Sequence, residues 1–126
     1  MIQVAVSIGE LVDKVSILSI KREKIKDPAK LLHIEKEYHI LVASMTGAGI
    51  AVTSGEFARL REINARLWDI EDRIRLKEAA KAFDDEFIEL ARSVYFINDD
   101  RAAVKKTINL KYGSDLVEEK EYAEYK

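Results

Sequence analysis

Residues 54–80, SGEFARLREINARLWDIEDRIRLKEAA, decide the fold. Apolar side chains recur in this stretch every three or four residues, at Leu60, Ile63, Leu67, Ile70 and Ile74. That spacing places them on one side of an α-helix. Just before it, Thr53 to Glu56 has the form of a capping box, in which side chain and backbone satisfy each other at a helix start. The stretch therefore predicts a long helix with one buried face.

Three further helices are predicted from start signals of the same kind: a second capping box, an Asp-Pro pair and an Asp cap. The four predicted helices cover about residues 8–26, 28–45, 54–80 and 84–110. A short extended arm precedes them, and a charged tail follows them. The pattern predicts an all-α protein, an antiparallel four-helix bundle with two shorter N-terminal and two longer C-terminal helices.

Length and composition limit the classes of function. The 126 residues fit one domain, residues 1–126. The absence of cysteine excludes disulfides, thiolate metal sites and cysteine nucleophiles. Acidic and basic residues are interleaved and leave a net charge of -2, which argues against nucleic acid as the main partner. No uncharged run reaches the about 20 residues of a membrane span, and no signal peptide is visible, so we expect a cytoplasmic protein with no membrane partner.

Motifs of known chemistry are mostly absent. There is no phosphate loop, no Ser-His-Asp set and no histidine pair that could share a metal. Acid pairs at helical spacing do occur, namely Glu10 with Asp13 and Asp69 with Asp72. Such pairs on facing helices could hold Mg²⁺, although they also arise by chance in a chain with 35% charged residues. These four acids are the only metal-ligand candidates, and no cofactor is expected.

Several charged and amide side chains fall on helix faces that should be buried. They are Arg22 in the first helix, Asn64, Glu71 and Arg75 in the third, and Asn98, Arg101 and Lys105 in the fourth. Buried charge is unfavourable unless it is paired and hydrogen-bonded. These groups therefore form an internal ion network or line a ligand pocket.

The two hypotheses assign different partners to the inward cations. In the network hypothesis, Glu71 pairs with Arg22 or Arg101. In the pocket hypothesis, the cations outnumber Glu71 and bind a phosphate or carboxylate, with Arg101 as the main contact. Acids at Glu10, Asp13 or Asp72 would cover that surplus if the helix rotations differ slightly from ideal. The residues leave both hypotheses open.

A second apolar surface is predicted from side chains that lie off the main helix faces. They are Ile17 and Ile20 in the first helix and Ile88, Tyr95 and Ala102 in the fourth. A second apolar stripe usually needs a second cover. The tail or a partner subunit could supply it, and a homodimer is the commonest arrangement for a small domain.

Four segments resemble a known family. Residues 9–21, 63–75, 96–105 and 116–120 read GELVDKVSILSIK, INARLWDIEDRIR, FINDDRAAVK and LVEEK. Together they resemble a family of short bacterial all-helical proteins catalogued as a domain of unknown function. The resemblance spans nearly the whole chain and implies no activity and no site residues.

A weaker similarity links Glu10 to Asp13 with all-helical nucleoside triphosphate pyrophosphatases. That segment fits their E-x-x-D motif, but their E-E-x-x-E motif is missing here. The similarity therefore concerns the fold alone.

The sequence favours a non-enzymatic structural or protein-interaction module, expected as a homodimer, with a further protein partner also open. The alternative is a binding protein or enzyme for a small anionic metabolite or nucleotide. That alternative would use the seven inward polar side chains and could involve Mg²⁺.

Overall fold

The computed structural model describes residues 1–125, and Lys126, the end of the predicted tail, lies outside them. The helices are α1 (Ile8–Lys24), α2 (Pro28–Gly47), α3 (Gly55–Ala79) and α4 (Asp85–Lys111). No strand occurs in the described part of the chain. The predicted all-α fold of four packed helices is confirmed, with the two longer helices in the C-terminal half.

A side chain caps the first turn of every helix. The caps are Ser7, Asp27, Ser54 and Asp84, each accepting a hydrogen bond from a backbone N–H two or three residues ahead. The predicted cap at Thr53 is wrong by one residue. The backbone of Ser54 is extended, and its hydroxyl is the one that accepts from the N–H of Phe57. At the other end of the chain, Gly113 has φ 64°, the left-handed conformation that often follows a helix.

Helix α1 lies at the centre of the arrangement. It packs against α2, α3 and α4, and α3 also packs along α4. Val12 and Val15 of α1 are completely buried. Around them lie Met45, Ile50, Phe57, Leu60 and Ile108, contributed by the other three helices and the α2–α3 loop. Because α1 touches three neighbours, most of its circumference is buried.

The N-terminal turn of α1 presses closely against α4. The N–H of Gly9 donates to Asn109 Oδ1 at 2.6 Å, and the N–H of Ile8 donates to Ser114 Oγ at 3.0 Å. A Cβ at Gly9 would lie 2.5 Å from the carbonyl oxygen of Lys105. Two N–H groups that a helix start leaves unpaired thus bind side chains from the end of the chain.

The C-terminal segment after α4 runs back along that helix without regular structure. Glu118 and Glu119 pair with lysines of α4, and the ring of Tyr125 contacts those of Tyr95 and Phe96. A hydrogen bond to Asp99 raises the pKa of the Tyr125 hydroxyl to about 12. The charged tail is therefore docked on α4.

Across residues 1–125, no helix combines the length and apolarity that a membrane crossing requires.

We predict that Gly9→Ala destabilises the protein by about 2 kcal/mol, because the new methyl group meets the Lys105 carbonyl and separates α1 from α4. Urea unfolding followed by circular dichroism measures the change. Gly55→Ala is the matched control, since nothing lies within 4 Å of a Cβ there. Equal effects of the two substitutions would contradict a close backbone contact at Gly9.

Candidate functional site

The carboxylate of Asp13 is the centre of a buried polar network. Its side chain is 1% exposed. Arg101 Nε donates to Asp13 Oδ1 at 2.9 Å, and Arg101 Nη2 pairs with Oδ2, so the contact is bidentate. Asn64 Nδ2 also donates to Oδ1, at 2.9 Å. One carboxylate of α1 thus binds side chains from both α3 and α4.

Two smaller polar groups complete the network. Ser16 Oγ accepts from Asn64 Nδ2 at 2.9 Å and donates to the carbonyl oxygen of Asp13 at 2.7 Å. Asn98 Oδ1 accepts from Arg101 Nη1 at 3.4 Å. Within residues 1–125, no buried side-chain nitrogen or oxygen lacks a hydrogen-bond partner. The buried network is therefore satisfied without a ligand.

Lys105 forms a second ion cluster one turn further along α4. Its Nζ donates to Glu10 at 2.7 Å and to Glu118 of the tail at 3.1 Å. Burial alone would lower the pKa of Lys105, but its hydrogen bond to Glu10 and the attraction of the nearby carboxylates outweigh that effect and raise the pKa. Lys105 is thus held as a cation between the start of α1 and the tail.

These contacts correct the predicted surplus of inward cations. Asp13 neutralises Arg101, and Lys105 lies between two glutamates, so no surplus exists. The hydrogen bond to Asp13 also raises the pKa of Arg101, against the opposing effect of burial. The prediction that Glu71 pairs with Arg22 or Arg101 is wrong. The covering acids are Glu10 and Asp13, because the buried arc of α1 is wide enough to include them beside its apolar stripe.

The predicted inward direction of Arg22 is also wrong. Arg22 Nε donates to Glu35 of α2 at 2.6 Å, and its guanidinium lies 4.0 Å from the ring centre of Tyr38. That hydrogen bond lowers the pKa of Glu35. The last turn of α1 lies beside α2, so Arg22 belongs to the surface between those helices.

A cleft between α1, α3 and α4 brings together five of the seven candidate residues. They are Asn64, Glu71, Arg75, Asn98 and Arg101, around a space of about 380 Å³. Ile17, Ile20, Leu67 and Trp68 supply its apolar surface, and Asp72 also lines it. Arg22 and Lys105 lie elsewhere. The small-anion hypothesis stays a prediction, now without the cation surplus on which it rested.

At the rim of this cleft, Glu71 and Arg75 are exposed rather than buried. Arg75 Nε lies 3.8 Å from Glu71 Oε2, which is the pair expected from their spacing of four residues. The prediction that Glu71 and Arg75 point into the interior is wrong, because this part of α3 is mostly exposed.

The four metal-ligand candidates are not assembled into one site. Glu10 and Asp13 bind Lys105 and Arg101, whereas Asp69 and Asp72 are exposed on α3. Among residues 1–125, no three histidine, aspartate or glutamate side chains are placed to hold a metal ion.

The side chains of the predicted second apolar surface lie in different surroundings in the structure. Ile17 and Ile20 both line the cleft, and Ile20 is almost completely buried. Tyr95 contacts Tyr125 of the tail, and Ala102 faces a groove whose other side is the tail. Ile88 remains half exposed. The tail therefore covers part of this surface, and an apolar region near Ile88 is left open.

Sequence reasoning named Asp13 only as a metal-ligand candidate and as one of three acids that could cover the inward cations, and it missed Ser16. A usable signal was present, because Gly9, Asp13, Ser16 and Ile20 follow the 4-3-4 spacing of one helix face and all four are buried. A stripe of small and polar residues beside an apolar stripe indicates a helix that is covered on both sides.

Comparison with known proteins agrees with the resemblance found in the sequence. Residues 2–125 match the model of a family of unknown function (DUF6165), and the chain belongs to that family. No curated protein and no solved structure matches the chain.

We predict that Arg101→Met destabilises the protein by about 3–5 kcal/mol, because the carboxylate of Asp13 is left buried without its cation. Chemical unfolding measures the loss. Arg66→Met, at an exposed position of α3, is the control and should be nearly neutral. Adding Asp13→Asn to Arg101→Met should recover part of the loss, whereas strictly additive costs would argue against a direct pair.

We predict that acid loosens the tail. The hydrogen bond from Lys105 lowers the pKa of Glu118 below its usual 4.5. The stabilisation of the docked tail by the Lys105–Glu118 pair is therefore present above pH 4.5 and is lost as the pH falls through the lowered pKa of Glu118. NMR signals of the neighbouring Leu116 and Val117 should follow this titration, and Glu118→Gln should abolish it. Glu121→Gln is the control, and an unchanged titration in Glu118→Gln would refute this assignment.

Proposed function

We propose that this protein is a non-enzymatic interaction module that associates with a second copy of itself. The surface proposed for this contact is the distal hairpin, defined as residues 69–92, where α3 ends and α4 begins. The exposure of apolar side chains there is the observation that carries the proposal.

The distal hairpin buries little of its own apolar surface. Leu90 is its only buried residue. Leu76, Phe83 and Ile88 are 70%, 57% and 50% exposed. Phe83 and Phe87 contact each other edge to face, with ring centres 5.2 Å apart. Two helices on their own share one apolar seam, so further apolar side chains at this end favour a partner that covers them.

The charges of the distal hairpin favour a second copy as that partner. Residues 73–81, at the end of α3, carry four basic side chains and one acidic one. Residues 84–92, at the start of α4, carry four acidic side chains and one basic one. Within one copy, Arg73 and Lys77 of the basic segment already pair with Asp84 and Glu86 of the acidic segment. A two-fold axis along the hairpin would set the basic segment of each copy beside the acidic segment of the other, so the same attraction would also act between copies. Two hairpins would then form a four-helix bundle.

The buried polar network supports a structural role for the interior. Asn64 and Arg101 both donate hydrogen bonds to the carboxylate of Asp13, which fixes α1, α3 and α4 in register. The interior thus acts as a rigid support, and the exposed end of the hairpin is available for association.

The test is the molar mass in solution, measured by light scattering coupled to size exclusion. The natural chain should run at twice 14.4 kDa, and Ile88→Glu should return it to the monomer mass. Ile88 is already half exposed, so the change should leave the monomer folded.

Leu110→Glu is the matched control, because Leu110 is 69% exposed on the same helix but lies at its other end. It should leave the dimer intact. A natural chain that stays monomeric at high concentration contradicts the proposal, as does a dimer that Leu110→Glu breaks and Ile88→Glu does not.

A further inference from the structure

The cleft between α1, α3 and α4 is open to solvent and large enough to hold a small molecule. Its volume of about 380 Å³ lies within the range of ligand pockets. The apolar part of its surface comes from two isoleucines of α1 together with Leu67 and Trp68 of α3. Trp68 is the only tryptophan of the chain. An apolar body of a few carbon atoms would therefore fit against these side chains.

The charge available to a ligand in this cleft is negative. The charge of Arg101 is neutralised by Asp13, whose carboxylate accepts hydrogen bonds from two of the guanidinium nitrogens. Glu71 and Asp72 then face a single further cation, Arg75. Arg75 is 79% exposed, and its contact with Glu71 is long at 3.8 Å. Two carboxylates against one loosely paired guanidinium favour a cationic ligand.

A mostly buried residue, Asn64, offers a hydrogen-bond acceptor at the cleft. Asn64 is 6% exposed, and within residues 1–125 its hydrogen bonds to Asp13 and Ser16 use only Nδ2. Because no buried side-chain oxygen in that part of the chain is left unpaired, Asn64 Oδ1 must reach solvent. The cleft is the surface that Asn64 lines. A ligand in the cleft could therefore donate a hydrogen bond from an N–H group to Asn64 Oδ1.

We propose that this cleft binds a small primary amine with an apolar or aromatic body. The ammonium group donates to Asn64 Oδ1 and is attracted by the carboxylates of Glu71 and Asp72. The body packs against Leu67 and Trp68, and the indole face adds cation–π attraction. A carboxylate or phosphate in the same place would meet two like charges.

The site shares Glu71, Asp72 and Arg75 with the distal hairpin, but the exposed apolar side chains proposed for self-association, Leu76, Phe83 and Ile88, do not line the cleft. The amine site therefore does not depend on the self-association.

Trp68 makes the site directly measurable, since indole fluorescence of the full-length protein reports on this cleft alone. We would titrate the protein with 2-phenylethylamine and, as matched ligands, with 2-phenylethanol and phenylacetate. The amine should give a saturable change in fluorescence and in the indole N–H resonance, with a Kd of about 1 mM or lower. Phenylacetate and the alcohol should bind at least about tenfold more weakly.

Charge variants separate an amine site from an anion site. Glu71→Gln and Asp72→Asn should each weaken amine binding about fivefold or more, and Arg75→Gln should strengthen it by a similar factor. Glu78→Gln, an exposed change on the same helix, should leave binding unchanged. Circular dichroism verifies that each variant is folded.

Three results would overturn the proposal. The first is that the amine changes neither the fluorescence nor the N–H resonance of the indole. The second is that phenylacetate binds as tightly as the amine or more tightly. The third is that Arg75→Gln weakens amine binding. The second would point to an anion site instead. None of the three is a measurement of molar mass, and light scattering on each charge variant shows whether its oligomeric state has changed. The failure of one proposal is therefore distinguishable from the failure of the other.

Discussion

The ion pair between Asp13 and Arg101 constrains the rest of the structure. A carboxylate that is 1% exposed is tolerated only where a cation and hydrogen-bond donors meet it. Its two oxygens receive both Arg101 and Asn64, so α1, α3 and α4 have one mutual rotation and height at which these bonds form. A shift of one helical turn would leave charge buried without a partner. The polar network therefore specifies register, whereas the apolar side chains supply most of the attraction.

The first turn of α1 contacts the end of α4 and the tail. Gly9 allows the backbone of α1 to approach α4, and Asn109 and Ser114 accept hydrogen bonds from the first turn of α1. Lys105 extends the same contact to the docked tail through Glu10 and Glu118. Contacts between residues about a hundred positions apart thus close the fold, so it needs no disulfide.

Paired polar groups and unpaired apolar side chains lie in different parts of the molecule. In the interior formed by residues 1–125, charged groups lie beside opposite charges and buried polar atoms have hydrogen-bond partners. Features without an internal partner lie at the surface: the apolar end of the hairpin near Ile88 and the cleft beside Trp68. Such surfaces are where a small helical protein contacts other molecules. The interior supports them by holding α3 and α4 rigidly against α1.

The sequence by itself determined the four helices, their approximate ends and most of the apolar core, because capping and 3–4 periodicity act over a few neighbouring residues. Five of the candidate residues line one cleft in the structure, but two of them, Glu71 and Arg75, are exposed there rather than buried as periodicity predicted. Only the tertiary structure decided which carboxylate meets Arg101, since Asp13 lies 88 positions away. It likewise placed Arg22 at the surface. A helix packed against three neighbours has so wide a buried arc that its apolar stripe does not fix where its polar side chains point.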